Sequence, residues 1–377
     1  MRKEIRYFGI LGVIALAATL SSCSNGEDIF DEIKRAIKVD VVDVQYQETR
    51  AQLFNNQDDV QSEGKEGKGD GFGLSAYLSK DGSKYFEHQH LFYFFDEGTG
   101  RYSWQFKDTK NQQNLTEFYW PNDSDVNFVA YMPRVINSST CAANITDITY
   151  DNRGVSFSAT MPNKTDDRKA SGGMNAESNR KEFVYACREN LNYKSHDGAV
   201  KLRFVHPFAM IRFKLHQSHR DLTIHSITLH SIKKQGNFSS EVDTFVSKTD
   251  NNATEQGNLL TTANWTVSGG GDYTVLIEKT VPTDVNYTSQ IGGPYMVIPQ
   301  NLDKITISLV YSWDKTKQQQ TDKLEIKSEK VKDWEPGKIY TYHLNLGDNR
   351  EEVLFEVDVE EWKKGENNDY ENSYDVK

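Results

Sequence analysis

The side chains best suited to nucleophilic chemistry in this 377-residue sequence are three cysteines, Cys23, Cys141 and Cys187. A thiol attacks as its thiolate, which needs a base or a positive charge nearby, and the sequence places no histidine beside Cys141 or Cys187. These two residues could form one disulfide if the fold brings them together, which their spacing leaves open. We therefore predict no catalytic residue and no enzyme, and we expect disulfides not to be the main source of stability.

The nine histidines are the next candidates, because neutral imidazole is a common metal ligand. His88 and His90 alternate in a strand-like run and would share one face, which a zinc site could use with a third ligand. We favour polar strand or turn residues for this pair. The same interpretation applies to two similar pairs, His216 with His219 and His225 with His230.

A short polar run offers one more candidate site. Asp123, Asp125 and Asn127 have the spacing with which a calcium-binding loop begins. Phe128, however, stands at the position of the turn glycine, and no acid follows at the twelfth position. We therefore predict a surface turn here, and neither a metal site nor a cofactor in the chain.

The N-terminal residues explain the position of Cys23. Three basic residues precede an apolar run, 7–20, which has about the length of a signal peptide and is short for a membrane span. The run ends in Leu20-Ser21-Ser22-Cys23, which resembles the bacterial lipobox, whereas an ordinary secretory signal would end in an Ala-x-Ala site. We therefore predict a lipoprotein signal peptide at 1–22 and a lipid such as palmitate on Cys23, which would anchor the mature chain to a membrane.

Charge and length limit the remaining possibilities. The formal net charge is −11, and removing residues 1–22 takes away three basic residues and one acidic residue, which leaves −13. An acidic surface disfavours nucleic acid and anionic lipid as partners. The length favours two domains over a single core.

Apolar residues recur at every second position along much of the chain, which predicts an all-β fold. Residues 305–313 and 353–360 are clear examples, each with an apolar row on one face and a mainly polar row on the other. The alternation slips by one residue at Val41-Val42 and between Ile224 and Ile227, which predicts β-bulges. Turn residues separate the runs at short intervals, which favours β-sandwiches over a parallel sheet.

The predicted organisation has five parts. The long polar segment 163–180 is interpreted as a surface loop near the end of a first domain. The parts are a signal peptide at 1–22, a tether at 23–36, an N-terminal β-sandwich domain at 37–195, a C-terminal β-sandwich domain at 196–365 and a polar tail at 366–377.

A series of short motifs runs through the chain in order. Their order and spacing resemble the fimbrillin family, the lipoprotein-derived type V pilins and related surface proteins of Bacteroidales. The resemblance covers nearly all of the mature chain. The motifs lie at 119–121, 128–133, 183–186, 200–213, 295–300, 334–342 and 357–362.

This resemblance implies two transthyretin-like β-sandwich domains in tandem, export as a lipoprotein to the outer membrane, and assembly into fimbriae or display at the cell surface. The implied partners are other fimbrial subunits, the outer membrane through the lipid on Cys23, and a host protein or glycan. Glu27 and Asp28 resemble the surface-export signal of such lipoproteins, with a solvated linker as the alternative. The place of the protein in a fimbrium, as shaft, anchor or tip subunit, is left open.

The family also implies a processing site. In its polymerising members an arginine-specific protease removes the first strand, and the terminal strand of another subunit fills the groove. Arg50-Ala51 follows the predicted strand 37–47 and resembles that cleavage position. The alternative is that Arg50 is an ordinary loop residue.

The last strand is the predicted donor. Its alternating row would bury four large apolar side chains, a gain of roughly 6–12 kcal/mol before the cost of ordering. The alternative keeps this strand in its own sheet. The row consists of Val353, Phe355, Val357 and Val359.

A rival function belongs to another class. A non-polymerising surface lipoprotein that binds glycans would also be a β-sandwich, and the 12% aromatic content would suit stacking on sugars. Most aromatic residues nevertheless occupy alternating strand positions and are better explained as core. Trp265 and Trp313 are the residues whose substitution would test the rival.

Overall fold

The computed structural model places the described residues almost wholly in β-strands, so the all-β prediction is confirmed. Within them the helical segments are the eight-residue α1, Gln57–Gly64, and a 3-10 turn at Thr262–Asn264. In the same part of the chain, no helix is long and apolar enough to cross a membrane. The described ranges are 35–44, 57–65, 71–107, 115–134, 144–166, 182–194, 199–215, 221–240, 245–250, 253–258, 262–281, 289–302, 305–313, 319–326, 331–346 and 353–361.

The strands vary from two residues to eighteen. In chain order they are β1 Lys38–Val44, β2 Phe72–Leu78, β3 Lys84–Asp96, β4 Arg101–Lys107, β5 Leu115–Thr116, β6 Val126–Met132, β7 Asn144–Asp151, β8 Gly154–Thr160, β9 Lys164–Asp166, β10 Val184–Leu191, β11 Ala199–Phe204, β12 Ala209–Leu215, β13 Leu222–Ser239, β14 Phe245–Asp250, β15 Ala253–Asn258, β16 Trp265–Val281, β17 Ser289–Val297, β18 Gln300–Asn301, β19 Ile305–Trp313, β20 Gln320–Ile326, β21 Asp333–Trp334, β22 Lys338–Leu346 and β23 Val353–Glu361.

The first sheet has the order β10-β6-β2-β3-β4-β1-β11, with β5 attached to β4. Its neighbours are antiparallel except β1 and β11, which are parallel. Just beyond β11, Val205 exchanges backbone hydrogen bonds of 2.8 and 3.2 Å with Tyr185 of β10, so the two edges of the sheet meet. The sheet holds a first core whose larger members include Phe72, Trp104, Phe106, Phe128 and Phe204.

Two further sheets share a second core. One has the order β17-β12-β22-β23, and the other has the order β20-β19-β13-β16-β9, with β8 on β13 and β7 on β8. Strands β14 and β15 pair only with each other among the described residues, as do β18 and β21. The second core takes side chains from both large sheets, including Phe213, Leu229, Trp265, Leu309 and Tyr342.

Strands β2 and β6 are buried on both faces, because one face belongs to each core. In β6, Phe128 and Ala130 lie in the first core, whereas Val129 and Tyr131 lie in the second. A strand covered on both sides can be apolar at every position. This explains why the segment 126–132 reads as a nearly continuous apolar run rather than as an alternating one.

The sheet β20-β19-β13-β16-β9 has seven strands with β7 and β8, and we call it the seven-stranded sheet. It contains strands from both sides of residue 195. Strand β8 pairs with β13, and β9 pairs with β16. All described residues belong to one compact unit, and the division into domains at 37–195 and 196–365 stays a prediction. The predicted surface loop at 163–180 begins with the short strand β9, and its residues from 167 onward lie outside the described ranges.

Both predicted β-bulges are confirmed. The register of β1 on β11 shifts between Val41 and Asp43, and the register of β13 on both of its neighbours shifts between Ile224 and Ser226. The prediction for β19 was only partly right. Its apolar row is buried, but Ser308 and Ser312 on the other face are buried too, because histidines of β13 lie over them.

Candidate assembly surfaces

The first strand is an integral part of the first sheet. Strand β1 pairs in parallel with β11 from Lys38 opposite Ala199 to Val44 opposite Phe204, and Val39 also bridges Trp104 of β4. The residues before it are tied to another segment, since Ile37 N–H donates to the Phe118 carbonyl at 2.7 Å. Removing this strand would therefore separate β4 from β11 and leave unpaired backbone on both sides.

The apolar row of β1 is a substantial part of the first core. Ile37, Val39 and Val41 are buried there, with Val41 0% exposed. At about 1.5–3 kcal/mol for each fully buried side chain, the three contribute about 5–9 kcal/mol. Because whole domains are stable by only about 5–15 kcal/mol, loss of this strand without replacement would leave the first core marginal.

The residues predicted to undergo modification lie outside the described ranges. These are the lipidation site Cys23 and the processing site Arg50-Ala51. The described chain stops at Val44 and resumes at Gln57, where α1 begins. In the sequence Arg50 comes between β1 and α1, and cleavage beyond it stays a prediction.

The predicted donor strand, β23, is an edge strand. It pairs antiparallel with β22 along its whole length, from Val353 opposite Leu346 to Glu361 opposite Lys338, and no other described strand pairs with it. Its row Val353, Phe355, Val357 and Val359 stands opposite Leu346, Leu344, Tyr342 and Tyr340, of which the last three belong to the second core. In this chain, therefore, the strand lies in its own sheet, and Val359 is 48% exposed at its outer end.

A polar contact joins β23 to β22 on the opposite face. His343 Nε2 lies 2.7 Å from Asp358 Oδ2. On the same face Arg212 Nε donates to Thr341 Oγ1 at 2.6 Å, and Thr341 stands directly opposite Asp358. Polar and charged groups thus line this face of the strand, whereas its other face carries the apolar row.

Two histidines of β13 form hydrogen-bonded sets with neighbouring strands. His225 bridges Glu278 at 2.7 Å and Ser312 at 3.0 Å. His230 similarly contacts Asp272 at 3.0 Å and Ser308 at 2.6 Å. Each set crosses three neighbouring strands, β16, β13 and β19. These sets were not predicted, because their members are far apart along the chain.

The other candidate ligands also have structural partners. His88 Nδ1 lies 2.8 Å from the Tyr131 hydroxyl, whereas the ring of His90 lies 3.9 Å from that of Phe92. His216 and His219 lie outside the described ranges. Among the residues that the structure describes, no group of three or more His, Cys, Asp or Glu side chains is placed to hold a metal ion.

The predicted surface turn is only partly right: Asp123 and Asp125 lie in the bend before β6, whereas Asn127 is a buried residue of β6 itself. Asp123 makes an exposed salt bridge of 2.9 Å with Lys80. Asn127 accepts hydrogen bonds from the Ser79 hydroxyl at 2.7 Å and the Asn190 N–H at 2.8 Å, and its amide donates to the Asn152 carbonyl. Asn127 therefore ties β6 to three other segments of the chain.

Cys187 has the environment of an unreactive thiol. It is a free cysteine, and burial raises its pKa to about 12. At neutral pH it is therefore a neutral thiol and a poor nucleophile. Cys141 lies outside the described ranges, so the pairing of the two stays open.

The tryptophans that would test glycan binding are buried. Trp265 is 6% exposed and donates from Nε1 to the Pro207 carbonyl at 2.8 Å, and Trp313 is 8% exposed. Exposed rings occur instead at the β3–β4 hairpin, where Phe95 is 52% and Tyr102 is 47% exposed. These two residues are directly opposed, with ring centroids 5.1 Å apart.

Comparison with known proteins identifies the family. A family model described as fimbrillin-like matches residues 49–362. No match was found among curated proteins.

Three solved structures are similar to this chain to different degrees. A fimbrial protein of Bacteroides vulgatus has a TM-score of 0.51 and 14% identity, over 87% of this chain and 100% of that chain. A candidate cell adhesion protein of Bacteroides uniformis has a TM-score of 0.46 and 13% identity, over 89% and 99%. The tip fimbrial protein Mfa3 of Porphyromonas gingivalis, with a C-terminal truncation, has a TM-score of 0.32 and 9% identity, over 77% and 93%. Because the family model matches most of the sequence, this chain belongs to the fimbrillin-like family.

Proposed function

We propose that this protein is a structural or adhesive subunit of cell-surface fimbriae. Its precursor is exported as a lipoprotein and anchored in the outer membrane through the lipid on Cys23. The subunit assembles by donor-strand exchange after cleavage beyond Arg50, which removes the lipidated segment. Its partners are other fimbrial subunits, and it has no catalytic role. Family membership and the fold of the Bacteroides vulgatus fimbrial protein support a fimbrial role.

The observation that carries the mechanism is the position of β1. The strand fills a slot between β4 and β11, yet its chain runs on directly toward Arg50. Cleavage there cuts the covalent link between β1 and the rest of the subunit. A second strand of the right pattern can then replace it, because unpaired sheet edges bind extended chains through backbone hydrogen bonds.

The edge position of β23 supports its role as the donor. An edge strand can leave its sheet by breaking one ladder of backbone hydrogen bonds, whereas a central strand must break two. Strand β23 has nine residues and β1 has seven, so the donor is long enough to fill the slot. Exchange moves its apolar row from its own sheet into the first core of a neighbour.

The first test is the N-terminus of the protein isolated from cells. An N-terminus at Ala51 is expected for polymerised subunits, and lipid-blocked Cys23 is expected for the precursor. Arg50→Ala should leave the precursor uncleaved and monomeric. Polymers formed equally well by this variant would rule out cleavage beyond Arg50 as the trigger.

A second test locks the donor strand in its own sheet. Asn345 and Leu354 are directly opposed on β22 and β23, at a separation that a disulfide can span in antiparallel strands. The Asn345→Cys/Leu354→Cys variant should polymerise when reduced and stay monomeric when oxidised, because the cross-link prevents release. Asn345→Cys alone is the matched control. Equal polymerisation of the oxidised and reduced double variant would exclude β23 as the donor.

The second candidate function is glycan binding without polymerisation. The exposed rings of Phe95 and Tyr102 favour it, since adjacent exposed aromatic rings can stack on sugars. Under this alternative, Phe95→Ala/Tyr102→Ala abolishes binding to mucin-coated surfaces, and cleaved protein stays monomeric. Formation of ladders on gels by the cleaved wild-type protein would decide in favour of the fimbrial subunit.

A further inference from the structure

Strand β1 carries two acids opposite two bases of β11. Within the parallel pairing of β1 and β11, Asp40 stands directly opposite Lys201, and Asp43 stands directly opposite Arg203. Asp40 and Lys201 are exposed, and Arg203 is partly exposed. Residues directly opposed on neighbouring strands interact, and opposite charges in these positions are favourable. The intact chain thus matches two acids with two bases along this seam.

Processing would change this balance. Cleavage beyond Arg50 and loss of β1 remove Asp40 and Asp43 from beside β11. Lys201 and Arg203 then flank the open slot, two residues apart and on the same face of their strand. A replacement strand that matches the slot must carry an apolar row toward the core and acidic residues on its other face.

Strand β23 has this pattern. Its apolar positions alternate with Leu354, Glu356, Asp358 and Glu360, so three of these four residues are acids. Two neighbouring acids of this row, Glu356 with Asp358 or Asp358 with Glu360, can meet Lys201 and Arg203 whichever way the strand runs. In its own sheet the same face places Asp358 2.7 Å from His343, so the acidic row is paired with a basic group before exchange too.

We infer that Lys201 and Arg203 form a charge-selective recognition site for the acidic face of β23 from a second copy of this chain. The inference rests on the proposed donor-strand exchange and adds to it what distinguishes the correct strand from other alternating strands. Cleavage beyond Arg50 removes seven basic and eight acidic residues from a chain of net charge −11, which leaves −10, so two processed copies repel each other at long range. Local complementarity at the slot offsets that repulsion where the donor must enter.

The test reverses the charges on one side of the contact at a time. The acceptor variant carries Lys201→Glu and Arg203→Glu, together with Asp40→Lys and Asp43→Lys so that β1 still matches β11 in the precursor. The donor variant carries Glu356→Lys, Asp358→Lys and Glu360→Lys. A third protein combines both sets.

After cleavage, each one-sided variant should polymerise about tenfold more slowly than wild type at low salt, because two exposed ion pairs become repulsive. The combined variant should recover to within about threefold of the wild-type rate. The difference should shrink at high salt, since exposed charges are screened. Lys164→Glu/Lys233→Glu, which reverses two exposed lysines of the seven-stranded sheet, is the control for net charge and should keep the wild-type rate.

Three outcomes overturn the inference, and they distinguish its failure from that of the proposed function. If cleaved wild-type protein polymerises and the acceptor variant polymerises equally fast, charge selection at Lys201 and Arg203 is wrong while strand exchange stands. The same conclusion follows if the combined variant is as slow as the one-sided variants. If cleaved wild-type protein does not polymerise at all, the proposed function fails and this inference fails with it.

Discussion

Substituting Val41 by alanine tests how much β1 stabilises the uncleaved chain. It also tests whether β1 remains in the subunit after cleavage. Val41 is fully buried in the first core. The substitution removes two methyl groups, roughly 1.6 kcal/mol at about 0.8 kcal/mol each, and leaves a cavity. We therefore expect the free energy of unfolding of the uncleaved chain to fall by about 2–3 kcal/mol.

The processed form should respond differently. If cleavage beyond Arg50 releases β1 and another strand replaces it, Val41 is absent from the assembled subunit. The free energy of unfolding of the polymerised protein, measured by urea denaturation, should then be the same for Val41→Ala and wild type. Asp40→Ala, on the exposed face of the same strand, is the matched control and should change the stability of the uncleaved chain by less than about 0.5 kcal/mol.

Two results would refute this reasoning. An unchanged stability of the uncleaved Val41→Ala chain would mean that β1 is not held in the core as described. A loss of about 2–3 kcal/mol in the cleaved, polymerised form would mean that β1 stays in its slot after cleavage, which excludes exchange at this site.

Three other predictions follow from single residues or pairs. Cys23→Ala should abolish incorporation of labelled fatty acid, and label that survives the substitution would contradict lipidation there. Asn127→Ala should lower the free energy of unfolding by about 1–3 kcal/mol, because the Asn190 N–H loses its acceptor; an unchanged urea midpoint would contradict this. Burial raises the pKa of Tyr340 and Tyr342 above the ordinary value of 10.0. The contribution of these two neutral tyrosines to the free energy of unfolding is therefore fully present below pH 10 and is lost as the pH rises through their raised pKa values. Ultraviolet phenolate absorbance should accordingly rise together with unfolding, and phenolate formation in the still-folded protein would contradict burial.

Local patterns in the sequence predicted the strands well, because a strand needs only its own alternation to be recognised. The strands β19 and β23 begin and end close to the predicted residues, and the two bulges lie where the alternation slips. The preference for aromatic residues in the core also held for Trp265 and Trp313.

The sequence did not predict the contacts between segments that are far apart along the chain. The histidine sets need three strands side by side, and no spacing along the chain indicates that His230 lies over Ser308. The burial of Ser308 and Ser312 was missed for the same reason, since a small polar residue on the outer face of a strand normally faces water.

The sequence by itself therefore determined the class of fold, the family motifs and the candidates at both ends of the chain, since each depends on residues close together in the sequence. Only the tertiary structure decided that β1 lies between β4 and β11 and that β23 is an edge strand on β22. Strand order depends on which apolar surfaces pack against each other, and these surfaces belong to segments that are far apart along the chain. The match of Asp40 with Lys201 follows from that order, because it joins residues that meet only when β1 and β11 pair.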